Sequence, residues 1–165
     1  MRWILYVNFK KIVHYLRYFS PWTFSRSFFL GDRQVQWTEP RLLIADDDVD
    51  FRESLAEVFS RRGFFTELAA DGCEAVEIVQ SARGLHLVLL DVHMPRLSGL
   101  EALEQIRTLA PYPLPCILMS AQLDDNIVQQ AQRLNTSSVL SKPFRLRDLT
   151  GTVAEILLQN YGLRI

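Results

Sequence analysis

The sequence has little cysteine, and its two cysteines match no known motif. Cys73 and Cys116 lie far apart in a chain of 165 residues. Zinc sites and dithiol redox centres need closely spaced cysteine pairs, and a disulfide framework needs more cysteines than this. We therefore expect two free thiols in a reducing compartment, the cytoplasm.

The chain also lacks a strong net charge, which is −1 at pH 7. Nucleic-acid-binding domains usually carry a clear positive excess, so the composition predicts no nucleic-acid partner. The charge is unevenly distributed, however. Residues 1–40 contain six Lys and Arg against two Asp and Glu, whereas residues 41–165 contain twelve against seventeen. This contrast favours an N-terminal extension over residues 1–40 and one globular domain after it.

The extension holds eleven of the eighteen aromatic residues but no apolar run of the roughly 20 residues that span a membrane. Lys10 falls where a signal peptide would have its apolar core. Lys10, His14 and Arg17 share one helical face, which suits an amphipathic helix within residues 1–30 on a membrane surface or a partner. The explanation we favour is a start codon assigned too far upstream. Mass spectrometry of the native N-terminus distinguishes the two.

From residue 41 onward, short apolar segments alternate with segments whose apolar residues recur at helical spacing. The sequence predicts strands at RLLIA, FFTELA, LHLVLL, PCILMS and SSVLS, which begin at residues 41, 64, 85, 115 and 137. Asp48 is expected to cap the first helix, and Ser98 with Glu101 forms a capping-box pattern. Five strand–helix pairs predict an α/β domain over residues 41–160, built on a doubly wound parallel sheet.

Acidic, hydroxyl and amine side chains end four of the predicted strands. They are Asp46, Asp47 and Asp48 after strand one, Asp91 after strand three, Ser120 in strand four and Lys142 after strand five. Ligands of such sheets bind at the carboxyl ends of the strands, so these groups are expected to meet. Carboxylates about 4 Å apart repel by roughly 4 kcal/mol per pair, which calls for a cation. Oxygen ligands suit Mg²⁺ together with a phosphate, and the set suits phosphoryl transfer to Asp91.

Four segments of the chain resemble the signatures of the receiver domains of two-component response regulators. The segments are LLIADDD, LVLLDVHMPRLSGLEAL, ILMSA and SKPF, and the resemblance extends over about residues 41–159. It implies a flavodoxin-like (βα)5 fold with strand order 2-1-3-4-5. It also implies that Asp91 accepts a phosphoryl group from a sensor histidine kinase or a histidine phosphotransfer protein.

The resemblance further implies a Mg²⁺ site. Asp47 matches the direct carboxylate ligand, and Asp46 matches a neighbour that acts through water. Asp91 and the backbone carbonyl of His93 complete the implied ligand set. The imidazole of His93 has two interpretations: an exposed loop side chain, or a group that sets the phosphoryl lifetime together with Gln122.

In the resemblance, Ser120 and Lys142 match the residues that contact the phosphoryl oxygens, and Pro143 matches a residue often in cis. Two positions depart from the family pattern. Val139 replaces the usual aromatic switch residue, which predicts a smaller change on activation; the alternative is that Val139 only packs as a strand residue. Leu134-Asn135-Thr136 replaces a Gly-containing turn, which predicts a differently shaped loop before strand five.

The function implied is a signalling switch or phosphorelay module, not an enzyme. Only about 20 residues follow Lys142, so we expect no output domain and an output through an effector protein. One alternative is a degenerate receiver that works as an unphosphorylated interaction module. The other is an aspartyl-phosphate phosphatase, which typically places a second Asp where this chain has His93.

Overall fold

The computed structural model describes residues 39–82, 84–110 and 113–165. In these ranges five strands alternate with five helices. The strands are β1 (Arg41–Ala45), β2 (Phe65–Ala69), β3 (Leu87–Asp91), β4 (Cys116–Ser120) and β5 (Ser138–Ser141). The helices are α1 (Val49–Ser60), α2 (Gly72–Ser81), α3 (Gly99–Leu109), α4 (Asp125–Arg133) and α5 (Leu146–Tyr161). The amphipathic helix expected within residues 1–30 lies outside the described residues, and none of the described helices could cross a membrane.

The strands form one parallel sheet in the order β2-β1-β3-β4-β5, which confirms the expected doubly wound α/β fold. Ala45 of β1 pairs with Ala69 of β2 on one side and with Leu90 of β3 on the other. Because all strands run in one direction, their carboxyl ends lie at one edge of the sheet. Asp46 and Asp91, which come next after Ala45 and Leu90, therefore lie side by side.

Both faces of the sheet are covered, since successive side chains of a strand point to opposite faces. Every residue of β3 is buried, in agreement with its continuous apolar sequence. One core cluster joins the sheet to α2, α3 and α4 through residues such as Val76, Leu103 and Ile127. The other joins it to α1 and α5 through residues such as Phe59 and Val153.

The predicted helix starts are confirmed. The Asp48 side chain caps α1 by accepting a hydrogen bond from the Phe51 N–H. Ser98 and Glu101 form a complete capping box at α3, with both reciprocal hydrogen bonds in place. These caps satisfy backbone N–H groups that have no partner within the helix.

The third strand begins later than the sequence predicts and includes Asp91, which pairs with Met119 of β4. His86, expected inside the strand, precedes it. Its Nδ1 accepts a hydrogen bond from the Arg41 N–H at 3.1 Å. The His86 side chain therefore binds the Arg41 N–H at the start of β1. This backbone group needs no partner from an extended β3.

The turn between α4 and β5 has no glycine, and its Asn135 adopts a left-handed conformation with φ of 51°. Asn tolerates this region better than most residues. The guanidinium of Arg107 in α3 donates hydrogen bonds to the carbonyls of Leu134 and Asn135, at 2.9 and 3.1 Å, and to that of Leu114 before β4. Arg107 thus joins three segments at the amino end of the sheet.

We expect Arg107→Ala to lower the free energy of unfolding by about 2 kcal/mol, because it leaves three backbone carbonyls without their charged donor. Arg107→Lys should recover little of this loss, since an ammonium lacks the planar fork of donors. Urea unfolding is the measurement. The control is Arg133→Ala, an exposed cation in the last turn of α4, for which we expect a change within about 0.5 kcal/mol. Equal losses for both alanine variants would contradict the assignment.

Candidate functional site

Two acidic residues are buried at the carboxyl edge of the sheet. Asp46 is 1% exposed and Asp91 is 4% exposed. Removing a carboxylate from water costs several kcal/mol unless charge and hydrogen bonds offset it. The groups around these two side chains therefore determine whether the arrangement is stable.

The Lys142 ammonium bridges the two carboxylates. Its Nζ lies 2.6 Å from Asp46 Oδ2 and 2.6 Å from Asp91 Oδ1. The backbone of Lys142 is anchored to the neighbouring strand, because its N–H donates to the Ser120 carbonyl at 2.7 Å. The Lys142–Pro143 peptide bond is cis.

Backbone amides bind the remaining carboxylate oxygens. The Asp48 N–H donates to Asp46 Oδ1 at 3.1 Å, and the His93 N–H donates to Asp91 Oδ2 at 2.7 Å. Each buried carboxylate therefore receives one hydrogen bond from the ammonium and one from the loop that follows its own strand. This pattern orients both side chains.

Burial and the ion pairs act in opposite directions on the pKa values of the site. Burial raises the pKa of Asp46, and its hydrogen bond to Lys142 reduces this rise without reversing it. Burial alone would lower the pKa of Lys142, but its hydrogen bonds to Asp46 and Asp91 outweigh this effect and raise it. Lys142 is therefore protonated at neutral pH.

The other candidate residues lie around this central group. Ser120 is buried, and its hydroxyl donates to the Gln122 carbonyl at 2.8 Å and accepts from the Gln122 N–H at 3.1 Å. Asp47 and the His93 side chain are exposed. The structure thus brings together Asp46, Asp91 and Lys142, while the Ser120 hydroxyl bonds within its own loop.

The loop between β3 and α3 is fixed by contacts that were not predicted from the sequence. A Cβ atom at Gly99 would lie 2.1 Å from the Asp91 carbonyl oxygen, so only glycine allows α3 to begin this close to β3. Arg96, with φ of 64°, forms an ion pair with the buried Asp71 that begins α2. The glycine after the Ser98 cap was a usable signal in the sequence, whereas nothing there indicated the pair of Arg96 and Asp71.

Two residues of α1 also contact the site. The Lys142 Nζ lies 4.4 Å from the centroid of the Phe51 ring, and the Arg52 guanidinium donates to the Asp46 backbone carbonyl. In the sequence, Phe51 is one of several apolar residues that recur at helical spacing after the first strand. Its contact with a lysine 91 positions later had no local signal.

Carboxylate and carbonyl oxygens, the ligand types that suit Mg²⁺, lie at this edge of the sheet. In the described ranges, no three His, Cys, Asp or Glu side chains are grouped to hold a metal ion. Mg²⁺ usually binds through one or two carboxylates and keeps several waters. Asp91, Asp46 through water, the exposed Asp47 and the His93 carbonyl would supply such a site. The Lys142 ammonium shows that this pair of carboxylates stabilises positive charge.

A bridged pair of buried acids at the carboxyl edge of a 2-1-3-4-5 sheet is the arrangement of a receiver-type α/β domain. Residues 42–154 match the response regulator receiver domain model, and the chain belongs to this family. It is 40% identical over 119 residues to response regulator MprA of Mycobacterium ulcerans, which covers 71% of this chain and 50% of that protein. The chain thus spans about half the length of the curated relatives it matches.

Solved structures are similar to a comparable share of the chain. The chemotaxis response regulator CheY4 of Vibrio cholerae has a TM-score of 0.67 and 27% identity, covering 73% of this chain and 100% of that one. CheY in a CheX–CheY–BeF3–Mg²⁺ complex from Borrelia burgdorferi has a TM-score of 0.66 and 26% identity, covering 72% and 89%. Receiver domains are signalling switches that generally bind Mg²⁺ and interact with kinases and effectors.

We expect Lys142→Met, in chelator-containing buffer, to lower the free energy of unfolding by about 3 kcal/mol at pH 7, because two buried carboxylates lose their shared cation. Without the ammonium, the pKa of Asp46 should rise further above 3.8 in the folded state. An acid whose pKa is raised by folding has little effect on stability below its unfolded pKa and destabilises the protein increasingly as the pH rises from there through the folded pKa.

The loss should therefore shrink when the pH is lowered to 4. Urea unfolding of the variant and the parent at pH 4 and at pH 7 measures this loss in the free energy of unfolding. An equal difference between the two proteins at pH 4 and pH 7 would contradict the ionic bridge.

Proposed function

We propose that this chain is a phosphorylation-dependent signalling switch or phosphorelay module in which Asp91 accepts the phosphoryl group. The observation that carries the proposal is the fixed Asp91 carboxylate. It lies at the end of a fully buried strand, with one oxygen bound to Lys142 and the other to the His93 N–H. A nucleophile held on a rigid element needs little reorganisation to meet a phosphorus atom in line.

In the proposed reaction, an Asp91 oxygen forms a bond to phosphorus while the phosphorus–nitrogen bond of a phosphohistidine breaks. Asp46, Asp47, Asp91 and the His93 carbonyl would hold Mg²⁺, and the ion would supply positive charge to offset the charge that develops on the phosphoryl oxygens. Lys142 supplies a second positive charge directly beside Asp91.

Ser120 is proposed to bind a phosphoryl oxygen after phosphorylation. Its hydroxyl now donates to the Gln122 carbonyl, so it has to exchange this partner for the phosphoryl group. That exchange would move the loop between β4 and α4. Val139 in the neighbouring β5 is half-buried and packs against the core, which agrees with a smaller surface change than an aromatic residue would produce.

The partners follow from the proposed chemistry. The phosphoryl donor would be a sensor histidine kinase or a histidine phosphotransfer protein in the cytoplasm. The output would pass to an effector protein through the surface that changes with the β4–α4 loop. The competing proposal, an unphosphorylated interaction module, predicts no phosphoryl uptake at all.

Incubation with Mg²⁺ and a small acyl phosphate should add one phosphoryl group to the protein, measured by intact mass. Asp91→Asn should abolish the adduct, because the nucleophilic oxygen is lost. Excess EDTA should also abolish it. The matched control is Asp50→Asn, an acid in the first turn of α1, which should be labelled like the parent.

An unlabelled parent protein would favour the degenerate receiver. A persistent adduct in Asp91→Asn would place the acceptor elsewhere. Continuous turnover of a generic phosphate ester would instead favour the phosphatase alternative.

The lifetime of the phosphorylated state tests the proposed role of the exposed His93 imidazole. If the ring orients the hydrolytic water together with Gln122, His93→Ala should lengthen the lifetime severalfold, a modest effect for a group that assists proton transfer. The decay of the phosphoryl adduct is followed by intact mass in the parent, in His93→Ala and in the Asp50→Asn control. Identical lifetimes would show that only the His93 backbone contributes.

A further inference from the structure

We infer that Phe51 is a positioning residue whose ring face holds the Lys142 ammonium between Asp46 and Asp91. The contact between Phe51 and Lys142 is argued from the geometry of α1. Its effect on phosphoryl uptake rests on the proposed function. Phe51 is an aromatic residue beside the site. At the position where the family usually has its aromatic switch residue, this chain has Val139.

The ring and the two carboxylates bind the same nitrogen atom. Lys142 Nζ lies 4.4 Å from the centroid of the Phe51 ring, well inside the roughly 6 Å range of a cation–π contact. The same Nζ lies 2.6 Å from each carboxylate. The Lys142 side chain is only 20% exposed, so water screens this contact less than it would on an open surface.

The Phe51 residue has two contacts besides the one with Lys142, one of them with Phe144, which lies two residues after Lys142. At the backbone, the Phe51 N–H donates to the Asp48 side chain at 3.1 Å, within the N-terminal cap of α1. At the ring, Phe144 packs edge-on, with centroids 6.0 Å apart and planes 66° apart. Phe51 is thus oriented at its backbone by the helix cap and at its ring by Phe144.

Lys142 needs a contact such as the Phe51 ring because its charge lies at the end of a flexible four-carbon stem. Hydrogen bonds to two carboxylates attract the ammonium without restricting the side from which it approaches. A ring face in contact with the same atom restricts that approach. The ammonium is therefore biased toward the bridging position.

This placement has two opposite consequences for the proposed reaction. A held ammonium repels Mg²⁺ from the shared carboxylates, so loosening it should strengthen Mg²⁺ binding. The same ammonium contacts the incoming phosphoryl group, so loosening it should slow phosphoryl uptake at saturating Mg²⁺. A general packing defect would weaken both.

The contact itself is tested by NMR without metal or phosphate. The ε-methylene protons of Lys142 should be shifted upfield by the ring current of Phe51. Phe51→Leu should abolish this shift, and Phe51→Tyr should retain it. The control is Phe64→Leu, which alters a buried ring packed on Phe59 at the other end of α1 and should leave the shift unchanged. An unchanged shift in Phe51→Leu would overturn the inference.

The role is tested by calorimetric titration with Mg²⁺ and by the rate of uptake from a small acyl phosphate. Phe51→Leu should bind Mg²⁺ about fivefold more tightly and react about fivefold more slowly, the size expected for one cation–π contact. Phe51→Tyr should restore the Mg²⁺ affinity and the uptake rate, and Phe64→Leu should match the parent in both.

Weaker Mg²⁺ binding with slower uptake, or no change in either, would overturn the positioning role. A parent protein that shows the ring-current shift but takes up no phosphoryl group would contradict the proposed function while confirming the contact between Phe51 and Lys142.

Discussion

One ammonium group between two buried carboxylates is the interaction on which the site depends. Asp46 and Asp91 leave adjacent parallel strands side by side, and two such charges repel by roughly 4 kcal/mol at 4 Å and an effective dielectric of 20. Lys142 offsets this repulsion with two contacts of 2.6 Å. Because each residue comes from a different strand or strand end, the bridge also ties β1 and β3 to the segment that follows β5.

The rest of the domain keeps these three groups in register. The fully buried β3 holds Asp91, and Gly99 allows α3 to begin against the Asp91 carbonyl. The backbone of Lys142 is bound to Ser120 at the end of β4. Rigid strands thus hold Asp91, the proposed acceptor, while the loops carry the groups that would rearrange. This division suits a signalling switch, in which a small chemical change has to alter a surface.

Local features of the domain could be predicted from the sequence, and contacts between distant segments could not. Capping residues and apolar periodicity act within a few residues, so the alternation of strands and helices and the cap at Asp48 are visible in the chain. Periodicity does not determine strand order, which came from the family resemblance. From the sequence, Phe51 can be predicted only as an apolar residue of α1. Its contact with Lys142 depends on the position of β5 in the sheet, which no local pattern determines.

The most direct test of the central claim is a double-mutant cycle between Lys142→Met and Asp91→Asn, measured by urea unfolding in chelator-containing buffer at pH 7. If the ammonium and the carboxylate share one site, the two changes should couple by about 1–3 kcal/mol, since each removes the same ion pair. Additive effects within about 0.3 kcal/mol would show that the two groups do not interact, and the account of the site would be wrong.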